Sequence, residues 1–184
     1  MTTPGSTSSV VVLGASARAL DDRISLHLTV REATKGRGWW AQDVEGEAAR
    51  YERLASRSFE IAREILGCPI SIISGARPLG HNESGRPSSM HLPPVQRAAP
   101  ALRYLSRAPA DRGAALDMVP NGVACDVAFW LLDEAMRSGR LPPGGLFWYA
   151  ATAANPGPAS GRFVHLDNRG TIARDVKLTP PRGK

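Results

Sequence analysis

The stretch RFVHLDNRGTIARDV, residues 162–176, predicts two short β-strands joined by the turn NRG. Successive side chains of a strand point to opposite faces, so His165 and Asp167 lie on one face and Val164 and Leu166 on the other. A histidine and a carboxylate therefore project side by side from a strand whose reverse face is apolar.

Earlier segments supply the rest of the expected architecture. CPISIIS (68–74), GAALDMV (113–119) and GLFWYA (145–150) are short apolar, β-branched or aromatic runs typical of buried strands. Apolar residues recur at three- and four-residue steps over 43–66 and again over 122–139, which predicts two helices, each followed by a glycine stop. Because helices and strands are segregated, the order predicts an α+β domain with a mainly antiparallel sheet flanked by helices.

The length of 184 residues fits a single domain. We expect a flexible N-terminal tail over residues 1–22, a folded domain over 23–176 and a flexible C-terminal tail over 177–184, because both ends are rich in small polar residues, Pro and Gly. Residues 93–111 contain four prolines, and we interpret them as a loop inserted into the domain.

The charge balance favours anionic partners, since 23 Lys and Arg residues stand against 17 Asp and Glu residues for a formal net charge of +6. Basic residues are not interleaved with aromatic ones as in single-strand binders, so no nucleic acid partner is expected and such a binder is the weaker alternative. The sequence has neither a positively charged leader nor an apolar run of about 20 residues, and we therefore expect no secretory signal peptide and no membrane span.

Three residues are candidate metal ligands. His91 lies in the loop-like segment SGRPSSMHL, Asp117 is a lone carboxylate inside the apolar run AALDMV, and His165 lies in mid-strand. A buried carboxylate requires a partner, and zinc accepts His nitrogen and Asp oxygen as ligands. The cysteines Cys68 and Cys125 lack CxxC spacing, which excludes a cysteine zinc cluster, and both are expected as small buried residues. Spacing alone leaves ordinary core or surface roles for the histidines open.

The succession SGARP, SSMHL, RGAALDM, GGLFWY and FVHLD resembles, in that order, the zinc D-alanyl-D-alanine carboxypeptidase superfamily. This superfamily also includes murein endopeptidases, phage L-alanyl-D-glutamate endolysins and the Hedgehog signalling fold. The similarity runs from about Leu26 to about Gly170. It implies a Hedgehog/DD-peptidase-like fold, Zn²⁺ as the cofactor and the stem peptide of peptidoglycan as the substrate.

The resemblance also implies residue roles. His91, Asp117 and His165 match the zinc ligands. Ser89 matches the serine two places before the first ligand and is expected, with Arg77, to bind the substrate. Arg77 matches the arginine that holds a carboxylate or carbonyl group of the substrate peptide, a task that suits a planar and permanently charged guanidinium. A solvated charge or a structural ion pair is the alternative interpretation of Arg77.

The chain departs from the family pattern at three places. Residues 93–111 separate the first histidine from the aspartate, Ala76 replaces a tyrosine, and Arg162 stands where many relatives have the acidic general base. Asp167 is therefore the candidate either for activating the metal-bound water or for orienting His165. His81 and Glu83, in the loop GHNESG, are fallback candidates for the base.

The favoured prediction is a zinc metallopeptidase that hydrolyses D-amino-acid-containing peptide bonds of bacterial peptidoglycan, as a carboxypeptidase or as an endolysin-type endopeptidase. Such a protein would be made in the bacterial or phage-infected cytoplasm and act on the wall after export or lysis. Two alternatives stay open. One is a non-catalytic module that binds peptidoglycan or a partner on the same fold, and the other is an intracellular D-amino-acid dipeptidase.

Overall fold

The computed structural model of the chain describes a single α+β domain with a five-stranded, mostly antiparallel sheet, which confirms the predicted fold class. No helix within the described part of the chain is long and apolar enough to cross a membrane. The described residues are 20–36, 44–77, 89–92, 108, 111–150 and 163–178.

Within the described residues, four α-helices and one π-helical turn precede the strands or lie between them. The helices are α1 (Val30–Thr34), α2 (Val44–Leu54), α3 (Glu60–Leu66) and α4 (Cys125–Arg137), and the π-helical turn covers Ala55–Phe59. The turn joins α2 directly to α3, so the single helix predicted over this part of the chain is present, with one wider turn that the periodicity did not predict.

Helix α1 was not predicted, and a capping box stabilises it. Glu32 N donates to Thr29 Oγ1 at 3.3 Å, while Thr29 N donates to Glu32 Oε2 at 2.9 Å. The helix matters for the site because the carbonyl oxygen of Ala33 accepts from the backbone N–H of Ala76 at 2.7 Å. This contact fixes the start of the segment that follows the first strand.

The strands are β1 (Ile70–Ser74), β2 (Ala115–Pro120), β3 (Gly145–Ala150), β4 (Phe163–Asp167) and β5 (Ala173–Leu178). Their order in the sheet is β1-β2-β4-β3-β5. All neighbouring pairs are antiparallel except β3 and β5, which are parallel. Strands β2 and β4 therefore lie at the centre, where both of their edges are paired.

The predicted turn between the last two strands does not form a hairpin. Because β2 and β3 already occupy both edges of β4, the chain after Asp167 crosses to the free edge of β3 and adds β5 there in parallel. The crossing ends with a hydrogen bond from Ala173 N, at the start of β5, to the carbonyl oxygen of Gly144 at 3.0 Å.

The two faces of the sheet have different surroundings. On one face, Leu116, Leu146 and Leu166 belong to the same hydrophobic core as Phe129 and Leu132 of α4. Burying a leucine side chain contributes about 1.5–3 kcal/mol relative to leaving it exposed. Stability therefore comes largely from this face, which leaves the other face available for polar groups.

The predicted tails and insertion fall mostly outside the described residues. Of the N-terminal tail over 1–22, the part from Leu20 onwards is described, and Leu20 packs against the core. Strand β5 extends to Leu178, two residues into the predicted C-terminal tail over 177–184. Of the insertion over 93–111, only residues 108 and 111 are described.

Candidate metal centre

Two of the predicted ligands lie on adjacent central strands. The register pairs Asp117 of β2 directly with His165 of β4, and Phe147 of β3 lies opposite His165 on its other side. Directly paired residues of neighbouring strands point to the same face, so the carboxylate and the imidazole project together. Their burial is nearly complete, with Asp117 6% and His165 7% exposed.

The third ligand, His91, comes from a short loop that backbone contacts hold against the end of β1. Arg77 N donates to the carbonyl oxygen of His91 at 3.1 Å, and His91 Nδ1 lies 2.8 Å from the carbonyl oxygen of Gly75. A side chain at position 75 would bring its Cβ within 2.0 Å of the Ala33 oxygen, so only glycine fits there. The glycine of the SGARP turn thereby allows the close approach that places His91.

The three side chains converge on one point. His91 Nε2 lies 3.2 Å from Asp117 Oδ1 and 3.2 Å from His165 Nδ1, and His165 Nδ1 lies 2.9 Å from the same Asp117 oxygen. A tetrahedral zinc site with bonds of about 2.0–2.1 Å separates its ligand atoms by about 3.3 Å. The three atoms thus form a triangle of nearly the size of one face of such a site.

The hydrogen bond that each imidazole makes on the side away from the cluster determines whether its other ring nitrogen can bind a metal ion. Because the Gly75 carbonyl only accepts, His91 Nδ1 carries a proton and Nε2 presents a lone pair to the cluster. His165 Nε2 lies 3.1 Å from Asp167 Oδ2, a carboxylate oxygen, so His165 Nδ1 faces inwards in the same way. Metal-binding histidines have this pattern of outer acceptors.

Three acceptor atoms at these distances repel one another unless a cation lies between them. The buried group of His91, Asp117 and His165 could therefore hold a metal ion, as the sequence predicts. Imidazole nitrogen and carboxylate oxygen are ligands of zinc and of other divalent transition metals, so the donor set fits Zn²⁺ without selecting it alone.

A proton is the other cation that fits the cluster, and the pKa values indicate where it resides. Burial lowers the pKa of His165, but the hydrogen bonds with Asp117 and Asp167 outweigh that effect and raise the pKa to about 9. Burial also lowers the pKa of His91, and Asp117 offsets only part of the shift. Burial raises the pKa of Asp117, but the two imidazoles outweigh it and hold the pKa well below its usual range.

Asp167 lies behind His165, on the side away from the cluster. Its Oδ1 accepts from Gly145 N at 2.9 Å, and the Arg169 side chain bonds both of its oxygens. The side chain is 1% exposed, and Arg169 and His165 hold its pKa low against the effect of burial. Of the two roles predicted for Asp167, these contacts favour the orientation of His165, because the carboxylate does not face the cluster.

Arg77 and Ser89 both lie next to the candidate ligands. Arg77 Nη2 lies 3.9 Å from Asp117 Oδ2 and 3.3 Å from Ser74 Oγ, and about a quarter of its side chain is exposed. The guanidinium therefore borders the cluster and also reaches solvent, as a substrate-binding group requires. Ser89 Oγ accepts from His91 N at 3.4 Å, which places the serine within the ligand loop.

The remaining sequence predictions have mixed outcomes. His81, Glu83 and Arg162 lie outside the described residues. Cys68 and Cys125, expected as small buried residues, are free thiols that are partly buried and pack against the core.

Sequence reasoning missed four residues that support the centre. Gly75 and Arg169 hold the outer sides of His91 and of Asp167, and no pattern in the sequence distinguishes them from ordinary turn residues. Glu47 and Arg50 form a fully buried ion pair beside the ligand segments. The burial of Glu47 and Arg50 could have been predicted, because positions 47 and 50 share a helical face with the apolar residues 51 and 54.

Comparisons with models of protein families, with curated proteins and with solved structures gave no match. The resemblance to the zinc D-alanyl-D-alanine carboxypeptidase superfamily therefore rests on the order of the five motifs in the sequence. The geometry of the cluster is an independent observation.

Proposed function

We propose that the protein is a zinc-dependent peptidase that hydrolyses D-amino-acid-containing peptide bonds of bacterial peptidoglycan. The observation that carries the proposal is the convergence of His91 Nε2, Asp117 Oδ1 and His165 Nδ1 within 3.2 Å of one another, with an acceptor behind each ring. Three protein ligands are the usual complement of a catalytic zinc site, which keeps a further position for water or substrate.

The substrate class follows from the motif order and from Arg77. Zinc bound at the cluster would supply a Lewis acid and an activated water molecule for hydrolysis of a peptide bond. Arg77, which borders Asp117 and is partly exposed, would bind a carboxylate or carbonyl oxygen of the peptide through its planar N–H groups. The carboxylates of stem peptides and the net charge of +6 are compatible with such binding.

Asp167 serves in this proposal as a positioning residue. It accepts the outer N–H of His165, keeps the inner nitrogen unprotonated when a metal is bound, and is itself held by Arg169 and Gly145. The proton acceptor for the attacking water is then a different group, and His81 and Glu83 are the fallback candidates that the sequence offers.

Metal analysis combined with mass spectrometry of muropeptides tests the proposal. The purified chain, incubated with Zn²⁺ and dialysed, is expected to retain one equivalent and to release shorter stem peptides from purified peptidoglycan. His91→Ala and His165→Ala are expected to lose both the metal and the cleavage. Cleavage that survives either substitution would contradict the proposal.

His27→Ala is the matched control for the histidine variants. His27 Nδ1 pairs with Glu60 Oε2 at 2.7 Å on the exposed surface, outside the cluster. Metal content and cleavage are expected to be unchanged in this variant. Parallel incubation with D-alanyl-D-alanine distinguishes a dipeptidase, which would cleave the dipeptide and leave intact sacculi untouched.

A second candidate function is a non-catalytic module that binds wall peptides or a partner protein. The orientation of Asp167 away from the cluster favours it, because this carboxylate is then not placed to activate water. Stoichiometric zinc together with unchanged muropeptides would support this alternative over the peptidase.

A further inference from the structure

A fully buried ion pair lies beside the candidate centre without contributing a ligand to it. Arg50 Nη2 donates to Glu47 Oε2 at 2.7 Å, and both side chains are 0% exposed. Transferring two charges into a protein interior costs several kcal/mol per ion after relaxation. A pair of this kind is weak evidence for stability, so its retention calls for another explanation.

The contacts of Arg50 supply that explanation. Its Nη1 donates to the carbonyl oxygen of Met90 at 3.2 Å and to that of Gly113 at 2.6 Å. Met90 directly precedes the ligand His91, and Gly113 lies at the entrance to the strand that carries Asp117. One guanidinium thus connects the two ligand segments that residues 93–111 separate in the sequence.

The neighbouring residue of α2 strengthens the same connection. Tyr51 Oη donates to the carbonyl oxygen of Ala115 at 3.1 Å, two residues before Asp117, and the Arg50 guanidinium lies 5.2 Å from the centre of the Tyr51 ring. Two adjacent side chains of one helix therefore hold the backbone on both sides of the gap between His91 and Asp117.

We infer that Glu47 and Arg50 are positioning residues for the metal centre: they set the spacing between the His91 loop and the Asp117 strand. Glu47 holds the guanidinium in place, and the guanidinium fixes two carbonyl groups next to the ligands. Ligand geometry tolerates little displacement, since metal–ligand distances vary by only about 0.2 Å in good sites. The inference rests on the proposed metal site and extends it to α2.

Co²⁺ binding by the double variant Glu47→Leu/Arg50→Met tests the inference. Apolar residues of similar volume often replace a buried ion pair without loss of stability, so the variant is expected to fold. It lacks donors for the Met90 and Gly113 carbonyls, and its Co²⁺ dissociation constant is expected to rise about 100-fold. The visible absorption of bound Co²⁺, which is intense for tetrahedral sites, should weaken in parallel.

Asp133→Asn is the matched control. Asp133 is also a buried carboxylate in an ion-paired network, with Arg137 and Arg174, but it lies on α4, which packs against the leucine face of the sheet, opposite the face that carries Asp117 and His165. This substitution should lower the melting temperature while changing Co²⁺ affinity by no more than about twofold, as expected for distant sites. The comparison separates a role in metal geometry from a role in general stability.

The outcomes are distinct. If the double variant folds and binds Co²⁺ as tightly as the parent chain, the inference is overturned while the proposed metal site stands. If the parent chain itself binds no Co²⁺, the proposed metal site is wrong, and the proposed function is overturned together with the inference that rests on it. Should the double variant not fold, Arg50→Lys decides, because it keeps a positive charge beside Glu47 but removes the planar guanidinium that donates to both carbonyls. A rise of about fivefold in the dissociation constant supports the inference, and an unchanged constant overturns it.

Discussion

The Glu47–Arg50 pair and the His91–Asp117–His165 cluster are both buried, yet only the pair contains its own permanent cation. In the pair, the guanidinium donates to one carboxylate oxygen of Glu47 and to two backbone carbonyls. In the cluster, two imidazole nitrogens and a carboxylate oxygen face one another, and the charge that would reconcile them must come from a proton or a metal ion.

This difference separates a structural polar group from a binding site. An ion pair that contains both charges has fixed partners, so its removal affects the fold under all conditions. The free energy of three converging acceptor atoms depends on which cation is bound between them. The stability of the cluster therefore depends on metal concentration and on pH. Substitutions in the cluster should therefore change metal binding and pH dependence, whereas substitutions in the pair should change the stability of the fold.

Asp117→Ala should have the largest effect, and it should fall on metal binding. The substitution removes the one anionic ligand and leaves two neutral imidazoles, so Zn²⁺ affinity is expected to fall at least about 10⁴-fold, or about 5.6 kcal/mol. Competition titration with a chromogenic chelator measures the change. Asp126→Ala, which removes an exposed carboxylate from α4, is the control and should bind Zn²⁺ normally.

Arg50→Met alone should act on the fold instead. It leaves the Glu47 carboxylate buried without its guanidinium, and breaking a buried pair in this way costs about 3–5 kcal/mol. Urea denaturation of chelator-treated protein should give that loss. Addition of Glu47→Leu should restore most of the free energy of unfolding. If Arg50→Met alone is as stable as the parent chain, the structural role of the ion pair is contradicted.

The pH dependence of the chelator-treated protein should come from the cluster. The pKa of His165 is raised from 6.5 to about 9 by Asp117 and Asp167 against the effect of burial, so the folded chain retains a proton that the unfolded chain loses. This stabilisation is fully present below pH 6.5 and is lost as the pH rises through about 9. Melting temperatures should therefore fall across that window, and Zn²⁺ should remove the decline because it replaces the proton.

Local patterns in the sequence predicted the fold class and singled out the three candidate residues, whereas their role as zinc ligands was implied by the family resemblance. Alternation in the strand of His165 and the periodicity of α2 and α3 are visible in single segments. The lone polar residue Asp117, within an apolar strand, is visible in the same way. These patterns depend only on near neighbours in the chain.

The parts that sequence reasoning missed depend on tertiary contacts. The parallel pairing of β5 with β3 follows from which sheet edge is free, and the buried state of Arg50 follows from carbonyl groups 40 and 63 residues away. The orientation of Asp167 could not be chosen from alternation, because a carboxylate on the same strand face as His165 reaches either ring nitrogen. The positions of Gly145 and Arg169 determine which ring nitrogen of His165 the carboxylate contacts.

Asp167→Asn should have the smallest effect of these four tests, and it decides whether Asp167 supports the metal centre. The amide is close in shape to the carboxylate but carries no charge, so it weakens the hold on the outer N–H of His165 and on Arg169. Loss of such an outer partner typically reduces metal affinity about 10- to 100-fold, or about 1.4–2.8 kcal/mol. Gly145→Ala should act similarly, because its Cβ would lie 2.2 Å from Asp167 Oδ2. If Asp167→Asn instead retains full Zn²⁺ affinity and loses only peptide hydrolysis, the carboxylate takes part in the reaction itself, and the orienting role favoured by its contacts is wrong.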